Sequence, residues 1–551
     1  MKKLFPLIAL LFSFQVFAQE DAWVFLKDKP KATTFLSSPL SMLSQRALDR
    51  RTRQNIALDS KDVPIETTYF TQIKNTPGIT VLAKSKWLNA IHVQGAKTII
   101  DNLKSTYSFV LSIEFADRTL NAKGASTRKT VRAPKKNKFT EETTTFNYGD
   151  ASNQIEMLKG NFLHQQGFTG TGMYIAIIDG GFSGVNTLDI FKRVRDNNQI
   201  LGGYDFVKRN ADFYVTELSP NDNTTIINKH GTNVFSTIAG YIENQFVGTA
   251  PDAFYYLFRT EDPPTESPIE ETLWVEAAER SDSLGVDVIN TSLGYTTFDD
   301  PKYNYAYADM DGKTTFISRG AEIASSRGML IVTSAGNEGN KTWKYIGAPG
   351  DVQNVFSVGA VNSTNAIAPF SSFGPTSDNR VKPDVLAQGL GAYVVNVYTG
   401  LPRSGNGTSF SSPIMAGVVA CLWQAFPNLT NLQIMQRIRE SADKYNSPTA
   451  QEGYGIPNFQ TAYTILANED VGFIKKATIF PNPVTNKITL QIANQHLANT
   501  KIQVYNVIGK KVFEKNNLIS KIIDVSELYS GIYILKITNG NQQKTIKMIK
   551  R

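Results

Sequence analysis

Apolar and polar positions change rhythm several times along the chain, and each change marks a different kind of structure. Between residues 20 and 118, short apolar runs alternate with amphipathic ones. Runs 23–26, 79–83 and 109–115 read as strands, and 40–54 and 96–107 as helices, which predicts a small α+β unit. From 148 to 468, apolar β runs alternate with helical ones, the mark of a parallel sheet with helices on both faces. The clear strands there are 174–178, 286–290, 330–333 and 355–358, and the helices are 233–242, 271–284 and 410–425. From 478 to 551 apolar residues recur at every second position, as in Ile488-Leu490-Ile492 and Ile502-Val504. With turns at Gly509 and Gly531, this predicts a β-sandwich-like module. The expected fold class is therefore α/β, with a helix-flanked parallel sheet between a small α+β unit and a small β module.

Two stretches lack such periodicity. Residues 119–147 are rich in Lys, Arg, Thr and Ser, including Lys129, Arg132, Lys135, Lys136 and Lys138, and read as an exposed linker open to proteolysis. Residues 1–18 hold Lys2 and Lys3, an apolar run, and Val16-Phe17-Ala18 as a small-residue cleavage site, which predicts a secretory signal. The apolar run is shorter than the roughly 20 residues that cross a bilayer, and no later stretch is long and apolar enough.

Charge and cysteine change this picture little. The formal charge is +8, but residues 478–551 hold 11 Lys and Arg against 3 Asp and Glu, which accounts for all of it. The rest of the chain is formally neutral, so the basic balance describes the last module and predicts no nucleic-acid partner. A single cysteine, Cys421, permits no intramolecular disulfide, and its apolar surroundings predict a core residue.

Candidate chemistry begins from scarcity, since there are only four histidines: His92, His164, His230 and His496. His230 alone stands before Gly231-Thr232 and an apolar helix, where an imidazole is held yet approachable; a plain surface histidine fits as well. Asp179 ends the strand 174–178 before Gly180-Gly181, and strand carboxyl ends are where open α/β sheets build sites. By itself it reads first as a turn aspartate. Gly405-Asn406-Gly407-Thr408-Ser409-Phe410-Ser411-Ser412-Pro413 is more specific, because glycines bring the backbone close and Ser409 opens a long helix at its positive end. A helix-capping serine is the competing reading. Hydrolysis of an amide by serine needs a base, a group that orients the base, and donors for the oxyanion.

Taken together, Ile177-Ile178-Asp179-Gly180-Gly181, His230-Gly231-Thr232 and Gly407-Thr408-Ser409-Phe410-Ser411-Ser412-Pro413 resemble the three active-site signatures of the subtilisin-like serine peptidases, in that family's order. The resemblance implies Ser409 as nucleophile, His230 as general base and Asp179 as its orienting carboxylate, in a secreted endopeptidase acting on polypeptides. It implies Asn337, in Ser334-Ala335-Gly336-Asn337-Glu338-Gly339, as an oxyanion donor. It also implies Ser292, Leu293 and Gly294, with Ser334, Ala335 and Gly336, as the strand and walls that receive the substrate. No acidic residue lies in those two triplets, so strict selectivity for basic side chains is not expected. Catalysis of this type needs no cofactor. Structural calcium is common in the family, with Asp299-Asp300 and 309–311 as candidates that read more simply as acidic turns.

By position, residues 20–118 are similar to the family's propeptide, an intramolecular inhibitor. The last module, with Phe480-Pro481-Asn482-Pro483 and Tyr505-Asn506-Val507-Ile508-Gly509, resembles the sorting domain of the type IX secretion machinery. That resemblance implies Sec export followed by passage to the cell surface or the medium.

Overall fold

The computed structural model describes residues 19–121, 146–492, 497, 500–539 and 542–551, without the side chains of 468–476 and 542. The expected signal at 1–18, nearly all of the linker and His496 lie outside the described residues. The centre is a seven-stranded, wholly parallel sheet in the order Val385–Gln388, Phe356–Val361, Leu330–Ser334, Val288–Thr291, Tyr174–Asp179, Phe254–Arg259 and Ile200–Asp205. Its middle strands are buried at every position but Tyr174, as continuous Val and Ile runs covered on both faces should be. Strand order reverses beside Tyr174–Asp179, and the carboxyl ends of the central strands open into a crevice there. Phe254–Arg259, Ile200–Asp205 and Val385–Gln388 are additions to the expected strands. Glycines and polar residues break the β pattern in the second of these.

One core lies under helices His230–Ala239 and Thr408–Ala425, and the other under Ile269–Leu284 and Phe316–Ser326. The expected helix 233–242 starts three residues earlier, at His230 itself. It stops before Gly240 because Tyr241–Ile242 pairs with Phe246–Val247. Cys421 is buried, as expected, and donates to Thr249 O at 3.3 Å.

The N-terminal unit is α+β. A four-stranded antiparallel sheet, in the order Ile79–Ser85, Ala90–Ala96, Gln19–Leu26 and Val110–Phe115, carries helices Gln45–Arg53, Thr67–Lys74 and Lys97–Thr106. The predicted helix 40–54 begins only at Gln45, because Ser44 caps it through Ala47 N. The sheet packs on Ile269–Leu284 and Phe316–Ser326, where Trp23 stacks on Phe316 at 4.6 Å and donates to Thr272 Oγ1 at 2.9 Å.

Buried charge fills the rest of that interface. Asp282 is shared by Arg50 and, at 2.7 Å, Arg51, which also reaches Asp62 at 2.9 Å; all four side chains are almost wholly excluded from solvent. Glu279 receives Ser85 Oγ at 2.7 Å, Trp87 N at 2.9 Å and Lys86 N at 3.1 Å.

The C-terminal module is a two-sheet β structure of three and four strands, with Ile488, Leu490, Ile502, Val504, Leu535 and Ile537 alternating into its core. No helix among the described residues is long and apolar enough to cross a membrane.

Candidate active site

Asp179 ends its strand at the crevice, fully buried, and its Oδ1 accepts from His230 Nδ1 at 2.7 Å and from Gly180 N at 2.7 Å. The helix that starts at His230 presses against this strand end because Gly231 has no side chain. A Cβ there would meet Gly181 O at 2.5 Å and Asp179 Cβ at 3.0 Å. Burial opposes the imidazolium, but the charge of Asp179 and the hydrogen bond to it prevail, and they lift His230 above its ordinary value. Its side chain remains 42% exposed, so the edge away from Asp179 is open to solvent. The remaining described histidines have structural settings. His92 bridges Asp21 and Thr272, while His164, held by Tyr148 and Thr249 O, is pushed by burial down to about 4.

Ser409 sits in the first turn of Thr408–Ala425, one residue later than a helix-opening position. Its neighbour Phe410 lies 6.4 Å from the His230 ring, and its Oγ donates to Ser292 O at 3.4 Å. Asn337 faces the same turn. Its Oδ1 accepts from Thr408 N at 2.9 Å and Thr408 Oγ1 at 3.0 Å, which turns Nδ2 toward Gly407 and Ser409. With the oxygen so held, the amide can only offer donors to the space beside Ser409.

That space is a pocket of about 140 Å³. It gathers all the residues expected to bind substrate, Ser292, Leu293, Gly294, Ser334, Ala335 and Gly336, together with Asn337 and Ser409. They converge because Val288–Thr291 and Leu330–Ser334 are adjacent parallel strands that release their chains at the same sheet edge. Gly336, at φ +101°, turns the second chain so tightly that a Cβ would meet Ser372 Oγ at 2.8 Å.

Three lining residues were not anticipated: Thr296, Glu338 and Gly347. Glu338 stands in the quoted asparagine motif and was legible there. Gly347 comes from a distant loop with no local signature. The triplets 292–294 and 334–336 hold no acidic residue, but Glu338, outside both, gives the pocket one carboxylate, tethered to Lys341 at 2.9 Å.

Carboxylates are denser behind the crevice. Glu261, Glu266 and Glu270 place one oxygen each within 4.8 Å of one another, beside Gly180. Burial, with the charge of Asp299, raises Glu266 to about 7; burial and the neighbouring carboxylates raise Glu270 to about 8 and Glu261 well above its ordinary value. These are the oxygen donors a hard divalent cation takes. The candidates read from sequence are committed elsewhere: Asp299 accepts from Glu266 N, Asp300 caps Lys302 N, Asp309 accepts from Ala306 N and Asp311 caps Lys313 and Thr314.

A profile of the subtilase family matches residues 170–456. The Bacteroidota peptidase S8 propeptide domain matches 21–134, and the secretion system C-terminal sorting domain matches 478–551. Subtilisin NAT of Bacillus subtilis subsp. natto is 30% identical over 316 residues, covering 56% of this chain and 70% of its own. Subtilisin of Bacillus pumilus is 30% identical over 316 residues, covering 56% of this chain and 97% of its own. Among solved structures, that of MycP1 with its N-terminal propeptide removed aligns with a TM-score of 0.43 at 22% identity, over 56% of this chain and 96% of that one.

Proposed function

The chain belongs to the subtilase family and is a serine-type endopeptidase with a secretion sorting tail, and from that premise we propose that Asp179, His230 and Ser409 are its catalytic triad. Ser409 Oγ attacks the scissile carbonyl while His230 Nε2 takes its proton. His230 then hands that proton to the leaving amine, and water resolves the acyl-enzyme by the same route. Asp179 fixes the tautomer in which Nδ1 carries hydrogen and favours the transient imidazolium. The oxyanion is received by Asn337 Nδ2 and Ser409 N. Ser292, Leu293 and Gly294 pair with the substrate as an added strand, and the pocket between them and Ser334, Ala335 and Gly336 takes the side chain before the cut. Every group used is the protein's own, so the chemistry draws on no cofactor.

The observation that carries this reading is the convergence of Ser409 and Asn337 on one pocket, with the 2.7 Å Asp179–His230 hydrogen bond on the neighbouring helix. A fluorophosphonate probe should label Ser409. Ser409→Ala should abolish labelling and lower kcat by about 10⁶ while the fold persists. Casein hydrolysis by that variant at the wild-type rate would falsify the assignment.

The same reading makes residues 20–118 an intramolecular inhibitor released by cleavage within 119–147, and 148–468 the peptidase domain. Residues 478–551 are then the address read by the type IX machinery, after Sec export directed by 1–18. The substrates are polypeptides met outside the cell. Persistence of self-processing in Ser409→Ala, in a host lacking other proteases, would refute autocatalytic release. Normal secretion after deletion of 478–551 would refute the address.

A further inference from the structure

Helix Thr408–Ala425 contains Pro413, four residues after Ser409. Proline has no N–H, so the helical bond that residue 413 would give to the carbonyl of residue 409 cannot form. The Ser409 carbonyl is satisfied instead from outside the helix, by Ser292 Oγ at 2.9 Å. Ser292 Oγ in turn accepts from Asn290 Nδ2 at 3.3 Å, and Asn290 Oδ1 accepts from Ser412 Oγ at 2.8 Å. Each hydroxyl and amide in this chain has one direction of donation, from Ser412 through Asn290 and Ser292 to the Ser409 carbonyl. Asn290 and Ser412 are fully buried and Ser292 nearly so, which makes the bonds strong and their loss costly.

The chain joins two things that the reaction must hold in register. Its two ends, Ser412 and the Ser409 carbonyl, lie on the helix of the proposed nucleophile; its middle, Asn290 and Ser292, lies on the strand Val288–Thr291 and on the continuation 292–294 that lines the substrate pocket. A proline-freed carbonyl would otherwise let the first helical turn shift against that strand.

Resting on the triad reading above, we propose that Asn290 and Ser412 are positioning residues, which fix Ser409 relative to the strand that holds the substrate through the hydroxyl of Ser292. Neither touches substrate. Because their effect is on alignment of the reacting atoms, it falls on kcat rather than KM, and a displacement of about 1 Å is worth up to about 100-fold.

The test uses the full chain, self-processed, with active sites counted by fluorophosphonate titration. Asn290→Ala and Ser412→Ala are each expected to lower kcat on a peptide amide about 10- to 100-fold, with KM within about two-fold. The double variant should be no slower than the slower single one, because both cut the same chain. Ser412→Thr, which keeps the hydroxyl, should stay within about three-fold of wild type.

Unchanged kcat per titrated site with only a lower melting temperature means a structural role, and a rise in KM alone means a role in binding; either overturns the proposal. If Asn290→Ala does not accumulate folded, Ser412→Ala, which removes one hydroxyl, decides the matter by the same two constants. A wild-type chain that neither labels nor hydrolyses overturns the triad reading and this inference with it. A labelled, active wild type beside equally active variants overturns this inference alone.

Discussion

The crevice and the interface under the N-terminal unit are both built from charged and polar side chains, and they treat hydrogen-bonding capacity in opposite ways. At the interface the buried carboxylates spend it: Asp282 takes two arginines and Glu279 takes three donors. In the crevice it is held back, with His230 open to solvent on one edge and Asn337 Nδ2 aimed at the space beside Ser409. Buried and satisfied groups hold a shape, whereas aligned but unspent groups wait for charge to develop. A site of the second kind needs a frame of the first kind.

The sharpest test of the crevice is Asp179→Asn, which keeps the shape and changes the tautomer of His230. An approximately 10⁴-fold fall in kcat is expected. The acid limb of kcat/KM should also move to lower pH, because the wild-type limb stands above the ordinary histidine value only through Asp179. Measuring the pH profile of both enzymes checks the sign, and an unmoved limb would show that Asp179 does not set it.

For the interface, Arg50→Ala in an unprocessed Ser409→Ala background leaves Asp282 with one partner fewer. Breaking such a buried pair should cost about 3–5 kcal/mol of precursor stability, measured by denaturant melts. Asn337→Ala should lower kcat by about 10²–10³ with little change in KM, since Nδ2 is the proposed oxyanion donor, and should cost about 1–3 kcal/mol of stability because Thr408 N and Oγ1 lose their acceptor. The smallest effect expected concerns Glu279, which burial raises to about 7. A carboxyl raised on folding contributes stability that is complete below its unfolded value near 4.5 and lost as pH rises through about 7. The precursor should therefore weaken between about pH 4.5 and 7, and Glu279→Gln should remove about 3 kcal/mol of that loss. A slope unchanged by the substitution would break the contrast between the two regions.

How much of this was legible depends on how local the signal is. The strands at 174, 288 and 330 could be read because parallel strands buried on both faces are continuous Val and Ile runs. Ile200–Asp205 could not, because its glycines disguise it and only pairing with Phe254–Arg259 makes it a strand. Ala90–Ala96 is central to the N-terminal sheet yet carries His92 and Gln94, polar residues that make sense only against Asp21 and Thr272. In the site, Ser409 and Asn337 announce themselves in glycine-flanked motifs. Gly347 does not, since its place in the pocket comes from a loop far along the chain.

Local patterns carry the order of units, the position of the formal charge in the last module and the residue types of an Asp, His and Ser arrangement, because these depend on neighbours a few positions apart. Long-range packing alone settles that Gly347 enters the pocket and that Asn290 and Ser412 stand behind Ser409. Those facts come from strand order in a parallel sheet, which brings residues about 120 positions apart to within a hydrogen bond of each other, and no local pattern encodes such a distance.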